Sequence, residues 1–175
     1  MTDLDHRSQR IAKLEQLREQ GIDPYPARVY YTHTAAEALA AFEAQEGEEG
    51  PHVQVVGRMV SQRIMGRSSF AHLADGSGKI QVYVRQDVVG EETYHLFRRM
   101  SDLGDFCEAE GELFRTRTGE ITVRVSDLRL ISKALRPMPE KWHGLRDVET
   151  RYRQRYLDLM ANEDVRRIFL TRSRM

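Results

Sequence analysis

Near its start, the chain contains two segments in which apolar residues recur with the period of an α-helix. The first repeat covers residues 4–20 and ends at Gly21, and the second follows the capping-box sequence Thr34-Ala35-Ala36-Glu37. The apolar residues on these two faces are Ile11, Leu14, Leu17, Ala38, Leu39 and Phe42. The pattern predicts two amphipathic helices, and the polar residues 46–51 after them indicate a linker.

Between residues 52 and 135 the apolar period changes to two, which is typical of strands that bury one face. A helical stretch ending near Gly104 interrupts this pattern after the third strand. The alternating stretches of the five strands contain Val53 and Val55, Ala71 and Leu73, Ile80, Val82 and Val84, residues 106–114, and Ile121, Val123 and Val125. Three strands, a helix and two strands are the order of an OB-fold barrel, although a generic mixed α+β sheet fits the same pattern.

Three short features interrupt or connect these strands. Gly57 predicts a bulge or bend in the first strand. The composition of residues 75–78, Asp-Gly-Ser-Gly, predicts a hairpin turn between the second and third strands. In the fifth strand the alternation changes phase after Val125, which predicts a bulge at Ser126-Asp127.

The remainder of the chain reads as a linker followed by helices. Arg136-Pro137-Met138-Pro139 predicts an extended segment. One predicted helix, ending near Ala161, has Tyr152, Tyr156 and Leu159 on one face, and a last helix capped by Asn162 has Val165, Ile168 and Phe169. Because an apolar face needs a partner surface, we expect the chain to continue into a larger domain. The sequence thus predicts a helical extension at 1–51, a barrel at 52–135, and a linker with the start of a further domain at 136–175.

Composition indicates a globular protein and excludes several other classes. Hydrophobic residues make up 40% of the chain and charged residues 31%, unlike the profile of a disordered protein. No apolar run approaches the roughly 20 residues of a membrane span, and the N-terminus lacks the apolar stretch of a secretory signal. Cys107 is the single cysteine, so the chain can form no internal disulfide. We therefore expect a cytoplasmic protein without a membrane partner.

Charge is unevenly distributed, although the net charge is zero. Residues 52–85 carry 5 basic and 1 acidic side chains, and residues 136–175 carry 10 and 6, so each stretch has a net charge of +4. Such local charge suits a nucleic-acid surface, but it also suits an ordinary solvated surface. The sequence indicates no catalytic residues and no metal site, because its histidines lack metal-ligand spacing and Gly76-Ser77-Gly78-Lys79 precedes a strand instead of a helix.

Alternation also predicts which barrel side chains point outward. OB-fold barrels bind oligonucleotides on the outer face of strands two and three and through two loops, here near residues 65–67 and 115–119, both of which contain arginine. An outward aromatic residue beside arginines is a platform for stacked bases. For Phe70, packing beneath the N-terminal helices explains the spacing equally well, and solvation explains the other positions. The outward residues are Phe70, His72, Gln81, Tyr83, Glu120, Thr122 and Arg124.

Five stretches of the chain have a distinctive sequence. They are GIDPYP at 21–26, GRMVSQRIMGRSSF at 57–70, KIQVYV at 79–84, LFRTRTGEI at 113–121 and KALRPMPEKWHGLRDVETRYRQRYLDLM at 133–160. Together they resemble class II lysyl-tRNA synthetases of the bacterial type, and the last is similar to that family's junction between anticodon domain and catalytic domain. Its RYLDL element is shared by related synthetases, whereas the longer KWHGLRDVETRYRQRYLDL points to lysine.

The resemblance implies a mainly β fold with flanking helices. A five-stranded OB-fold barrel would bind the anticodon, with N-terminal helices before it and the helical start of a class II catalytic domain after it. Phe70 would stack on an anticodon base, Gln81 would hydrogen-bond the central uridine, and Glu120 would help to read a U-rich anticodon. Arg63 would be a polar or phosphate contact, a role that rests on the resemblance alone.

The resemblance also implies the partners and the activity of the parent protein. The partner of this chain would be the anticodon stem-loop of tRNA(Lys). The full-length parent would be a homodimeric lysine–tRNA ligase that uses ATP and Mg²⁺, while this chain would bind tRNA without catalysis and hold no cofactor itself. Three alternatives stay open: the anticodon domain of an aspartyl or asparaginyl synthetase, a free-standing OB fold that binds single strands, and a regulatory paralogue that reads tRNA without charging it.

Overall fold

The computed structural model describes residues 3–45, 47, 49–137, 145 and 147–175. Its internal contacts divide the chain into two compact units, residues 1–137, here called the barrel unit, and residues 138–175, here called the helical unit. Parts of two predicted features lie outside the described residues. These parts are residues 46 and 48 of the first linker, and residues 138–144 and 146 of the second linker and the junction motif.

Five strands of the barrel unit form a closed barrel in the spatial order β1-β2-β3-β5-β4. Strands β3 and β5 pair in parallel, and the other four neighbouring pairs are antiparallel. The five-stranded barrel predicted from the period-two pattern is confirmed. The strands are β1 (Glu49–Met65), β2 (Ser68–Ala74), β3 (Lys79–Arg85), β4 (Phe106–Arg115) and β5 (Ile121–Ser132).

Helices precede the barrel and connect its third and fourth strands. Helix α1 covers Asp3–Glu19 and α2 covers Ala35–Glu43, with the predicted capping box formed between Thr34 and Glu37. The connection contains α3 (Gln86–Val89), α4 (Glu91–His95) and a π-helical segment, Leu96–Met100. The sequence predicted one helix from residue 93 to near Gly104. The structure instead has α4 followed directly by the π-helical segment, in which the chain leaves α-helical geometry. None of the described helices is long and apolar enough to cross a membrane.

The core of the barrel unit consists of the inward residues of all five strands together with apolar residues of the helices. Leu17 and Phe97 are fully buried, and Phe42 is nearly so, which agrees with the apolar faces predicted for the N-terminal helices. Each fully buried side chain of this size stabilises the fold by about 1.5–3 kcal/mol relative to exposure. The strand residues of this core include Val53, Val55, Met59, Leu73, Val82, Val84, Leu113, Val123 and Val125.

Strand irregularities fall partly where the alternation predicts them. Glu110 faces Asp127 while Gly111 faces Val125, so Ser126 is the extra residue of a bulge, as expected. In β1 the register shifts between Met59 and Ser61. Of the bulge or bend predicted at Gly57, no bulge is present, because Gly57 pairs regularly with Cys107. Gly57 instead permits a close approach, because a Cβ atom there would lie 2.9 Å from the Cβ of Leu73.

A buried ion cluster joins helix α1 to the end of the barrel. Nζ of Lys133 lies 2.7 Å from an Oδ of Asp105, and both side chains are fully buried. Lys133 also pairs with Asp102, whose other oxygen accepts a 2.6 Å hydrogen bond from Lys13 of α1. We call Lys13, Asp102, Asp105 and Lys133 the ion cluster. It connects residues that are far apart in sequence and thereby fixes α1 against the segments that flank β4 and β5.

The helical unit contains α5 (Val148–Arg153), α6 (Arg155–Ala161) and α7 (Glu163–Arg174). The single helix predicted to carry Tyr152 and Tyr156 was wrong, because Gln154, at φ −117° and ψ 60°, separates α5 from α6. Asn162 occupies the N-cap position of α7 but makes no side-chain cap bond there. Its amide instead donates to Asp158, a fully buried carboxylate that also accepts from Arg151.

Candidate nucleic-acid interface

Strand pairing places two rows of side chains across the outer face of the barrel. Successive partners across β1, β2, β3 and β5 define each row, and the rows lie two residues apart along every strand, so both share one face. This face lies opposite the buried residues Ala71, Val82 and Val123, although Thr122 is itself fully buried by its neighbours. The polar row is Ser61, His72, Gln81 and Thr122, and the aromatic row is Arg63, Phe70, Tyr83 and Arg124.

The aromatic row presents stacked rings between arginines. The rings of Phe70 and Tyr83 have centroids 4.5 Å apart and planes inclined by 23°, which is a stacked arrangement. Phe114 of β4 lies next to them, with its centroid 6.2 Å from that of Tyr83, and the guanidinium of Arg124 lies 4.8 Å above the Phe114 ring. Since Tyr83 covers one face of Phe70, the other face is the one available to a ligand.

Hydrogen bonds join the polar row into a continuous network through Glu120, which links His72 to Gln81. The Oγ of Ser61 lies 2.7 Å from Nδ1 of His72, and Nε2 of the same imidazole lies 2.8 Å from Oε1 of Glu120. The amide of Gln81 donates to Oε2 of Glu120 at 2.7 Å, and its Oε1 accepts from the hydroxyl of Thr122 at 2.8 Å. Each oxygen of the Glu120 carboxylate is therefore held by a different side chain.

The loop between β4 and β5 holds the backbone of Glu120. The backbone N–H of Glu120 donates to Oγ1 of Thr116 at 3.0 Å, and the N–H of Thr116 donates to the carbonyl of Glu120 at 3.0 Å. Gly119 closes this turn at φ +88°, a conformation that glycine adopts without the strain imposed by a Cβ atom. Glu120 is thus fixed through both its main chain and its carboxylate, although its side chain keeps 45% of its exposure.

The two rows and this loop enclose an open groove of about 860 Å³. Phe70, Gln81 and Glu120 line it, and Arg63 and Arg117 bring positive charge to its rim. Within the part of the chain that the structure describes, neither of these arginines has a side-chain hydrogen bond or ion pair. Both guanidinium groups are therefore available to a phosphate or to the edge of a base.

The structure brings together all four residues predicted for the site. Phe70 and Arg63 are cross-strand partners, and Glu120 is hydrogen-bonded to Gln81. Phe70 lies on the outer face, between the buried residues Ser69 and Ala71, so packing in the barrel core does not account for it. Further residues of the groove were not chosen from the sequence, although the alternation already placed the first two outside. They are His72, Tyr83, Ser61 and Phe114, and Arg124 lies beside the groove, over the Phe114 ring.

The described residues provide little for metal binding or for nucleophilic chemistry. Among them, no group of three or more histidine, cysteine, aspartate or glutamate side chains could hold a metal ion. Burial raises the pKa of the Cys107 thiol to about 12, which keeps it protonated and unreactive at neutral pH. The chemistry of the groove is that of stacking, hydrogen bonding and positive charge.

Comparison with known proteins agrees with this description. The chain is 51% identical over 166 residues to the lysine–tRNA ligase of Pelotomaculum thermopropionicum, covering 95% of this chain and 32% of that protein. It is 48% identical over 171 residues to the ligase of Dehalococcoides mccartyi, covering 96% and 34%, and 46% identical over 175 residues to that of Bacillus subtilis, covering 98% and 35%. The chain spans about a third of the length of the curated relatives it matches, and the predicted resemblance is confirmed.

A family model adds the class of the barrel itself. The model for tRNA anti-codon domains, described as an OB-fold nucleic acid binding domain, matches residues 53–131. This range includes all five strands except the ends of β1 and β5, and it contains every residue of the polar and aromatic rows. Residues 53–131 of the chain therefore match the family of tRNA anti-codon OB-fold nucleic acid binding domains.

Proposed function

We propose that the groove binds the anticodon loop of tRNA(Lys) and reads its bases. The observation that carries this proposal is the placement of a stacked aromatic row directly beside a hydrogen-bonded polar row. A ring such as Phe70 offers stacking to any base, whereas Gln81 and Glu120 offer hydrogen bonds that depend on the base. Arg63 and Arg117 at the rim supply the charge that a nucleic-acid backbone needs.

Glu120 and the neighbouring Gln81 of the polar row favour bases that carry a ring N–H group. Both oxygens of Glu120 accept one hydrogen bond within the protein and have lone pairs left, and an ionised carboxylate can only accept. Uracil and guanine present a ring N–H on their pairing edge, while cytosine and adenine present a bare ring nitrogen there. The amide of Gln81 keeps a second N–H, which can donate to a carbonyl oxygen of the same base. This combination fits a U-rich anticodon.

Glu120→Ala tests the proposal by separating recognition from affinity. Because a carboxylate accepts from base N–H groups and repels phosphate, we expect its loss to reduce discrimination more than binding. Titrations would compare the tRNA(Lys) anticodon stem-loop with versions carrying cytosine in place of each anticodon uridine. The unsubstituted chain should prefer the uridine loops, and Glu120→Ala should lose most of that preference. If the chain binds all loops and an unstructured oligonucleotide equally, the proposed function is wrong.

The relatives support a proposal for the longer protein of which this chain would be part. We propose that the parent of this chain is a cytoplasmic, homodimeric lysine–tRNA ligase that uses ATP and Mg²⁺, with its parts divided at residues 51 and 135. Residues 1–175 by themselves would bind tRNA without activating lysine, as the resemblance to the first third of these ligases implies. Pyrophosphate exchange that depends on lysine, measured on the pure chain, would contradict the second statement.

A further inference from the structure

His72 occupies the centre of the polar row without having a role in the proposed reading of bases. It stands between Ser61 on β1 and Gln81 on β3, as the cross-strand partner of both. Its ring hydrogen-bonds to two other elements of the barrel, through Ser61 of β1 and Glu120 of the loop that precedes β5. The imidazole is only 26% exposed, so the protein contacts account for most of its surroundings.

Hydrogen-bonding capacity determines how the ring is oriented in its neutral form. An ionised carboxylate has no hydrogen to donate, so the atom facing Glu120, Nε2, carries the proton. Nδ1 is then the acceptor, and the hydroxyl of Ser61 donates to it. Ser61 thereby fixes the tautomer and the angle of the ring, and the ring directs its N–H at Oε1 of Glu120.

The carboxylate of Glu120 needs this second donor to keep one orientation. Gln81 holds Oε2 alone, and a carboxylate bonded through one oxygen can rotate about its terminal bond. Bonds to both oxygens from residues on adjacent strands remove that rotation. The carboxylate is therefore already ordered in the free protein, and binding a base does not bear the entropic cost of ordering it. Preorganised groups raise discrimination in this way.

We propose that His72 is a positioning residue for base reading, and that it acts by holding Oε1 of Glu120 through its Nε2–H. This inference rests on the proposed function of the groove. It assigns His72 no contact with the RNA, so its whole effect passes through Glu120. A merely structural histidine would instead contribute the same amount whether or not Glu120 is present.

A double-mutant cycle tests this dependence on Glu120. His72→Ala, Glu120→Ala and the double variant would be titrated with the uridine and cytosine stem-loops. For each variant, discrimination is the ratio of the Kd for the cytosine loop to the Kd for the uridine loop. His72→Ala alone should lower that ratio about three- to tenfold, the range expected for loss of one hydrogen bond. In the Glu120→Ala background the same substitution should leave the ratio unchanged. An equal fall in both backgrounds would overturn the proposal.

Conservative variants keep the test valid if His72→Ala perturbs the fold. A glutamine amide reaches about as far from the backbone as Nε2 does, whereas an asparagine amide reaches only as far as Nδ1. His72→Gln should therefore retain more of the discrimination than His72→Asn, with both melting at similar temperatures. Equal discrimination by the two variants would count against the Nε2 contact.

A matched control and a positive reference distinguish the possible failures. His52 also lies beside a glutamate, with Nε2 3.6 Å from Oε1 of Glu110, but it does not line the groove. His52→Ala should leave the ratio unchanged. If the unsubstituted chain does not discriminate at all, the proposed function fails; if it discriminates through Glu120 and His72→Ala has no effect, only the inference about His72 fails.

Discussion

At the scale of single residues, the ring of Phe70 shows most clearly what the outer face can do. One side of the ring stacks on Tyr83, and the ring lines the groove. We expect Phe70→Ala to weaken binding of the anticodon stem-loop by about 1–3 kcal/mol at every salt concentration, because stacking is not a charge interaction. Calorimetric titration at several salt concentrations measures this.

Phe97 provides the control for Phe70, since its ring is fully buried in the core. Phe97→Ala should cost about 3–5 kcal/mol of unfolding free energy and weaken binding only through the unfolded fraction. Phe70→Ala should change the melting temperature much less. A melting temperature as low as that of Phe97→Ala, with unchanged affinity of the folded fraction, would mean that Phe70 is a packing residue.

The exposed guanidinium of Arg63 should act through charge and therefore depend on salt. Each contact with a phosphate of a single strand releases counterions and thereby contributes about 0.7 to the slope of log K against log salt concentration. Arg63→Ala should reduce the slope by about that amount if the group meets a phosphate. Arg99 is also exposed but lies outside the groove lining, so Arg99→Ala should leave the slope unaltered. An unchanged slope with weaker binding would instead indicate contact with a base edge.

At the scale of elements, the turn between β2 and β3 also caps a helix. Asp75 accepts hydrogen bonds from the backbone N–H groups of Ser77 and Gly78 through Oδ1, at 2.7 Å and 2.9 Å. Its Oδ2 accepts from the backbone N–H of Ala35, the first residue of α2, at 2.8 Å. One carboxylate thus completes a hairpin and satisfies an N-terminal donor of a helix 40 residues away in sequence.

Asp75→Ala should destabilise the chain at neutral pH by about 0.5–2 kcal/mol, the usual cost of a lost helix cap. Burial raises the pKa of Asp75, but the hydrogen bonds from Ala35, Ser77 and Gly78 outweigh it, so the pKa lies below its ordinary value. A carboxyl group of this kind stabilises the fold fully above its unfolded pKa of about 3.9 and loses that effect as pH falls through the lower folded pKa.

Urea denaturation of Asp75→Ala at pH 7 and at successively lower pH would measure this difference. The difference in unfolding free energy between the variant and the unsubstituted chain should disappear below about pH 4. Asp127, whose side chain makes no hydrogen bond or ion pair among the described residues, gives the control Asp127→Ala, for which no such difference is expected. A difference for Asp75→Ala that stays constant with pH would contradict the linkage.

At the scale of the whole molecule, the ion cluster ties the first helix of the barrel unit to the chain that leaves the barrel. Lys133→Met would remove the ammonium group from the fully buried Asp105. Breaking a buried pair in this way costs about 3–5 kcal/mol, because one charge is left uncompensated. Thermal or urea unfolding measures the loss, and Lys79→Met, at an exposed lysine, should have little effect.

A second substitution checks that the lost stability comes from the unpaired charge. Asp105→Asn in the Lys133→Met background removes the uncompensated carboxylate, so it should restore part of the stability. Asp102 keeps its hydrogen bond from Lys13 in both variants. If the double variant is less stable than Lys133→Met by the full cost of Asp105→Asn alone, the cluster does not act as a coupled unit.

Local patterns of the sequence determined the elements and the outward side chains. The capping box at Thr34, the bulge at Ser126 and the alternation that exposes Phe70 are all properties of neighbouring residues, and the structure has each of them. The helix break at Gln154 and the register shift after Met59 were not predicted. The register shift depends on how β1 pairs with β2 and β4, which a local pattern does not contain.

The tertiary structure alone decided which of these elements meet. The sequence put His72, Gln81 and Glu120 on the outside one by one, but strand register brought them into one network, with His72 between Ser61 and Gln81. It likewise set Asp75 against the start of α2, although the turn and the helix were predicted separately. The hydrophobic period and the composition of a segment predict which residues are buried, because burial depends mainly on the chemistry of each side chain. Register and closure depend on how five strands pack around one core, and only the folded chain fixes that.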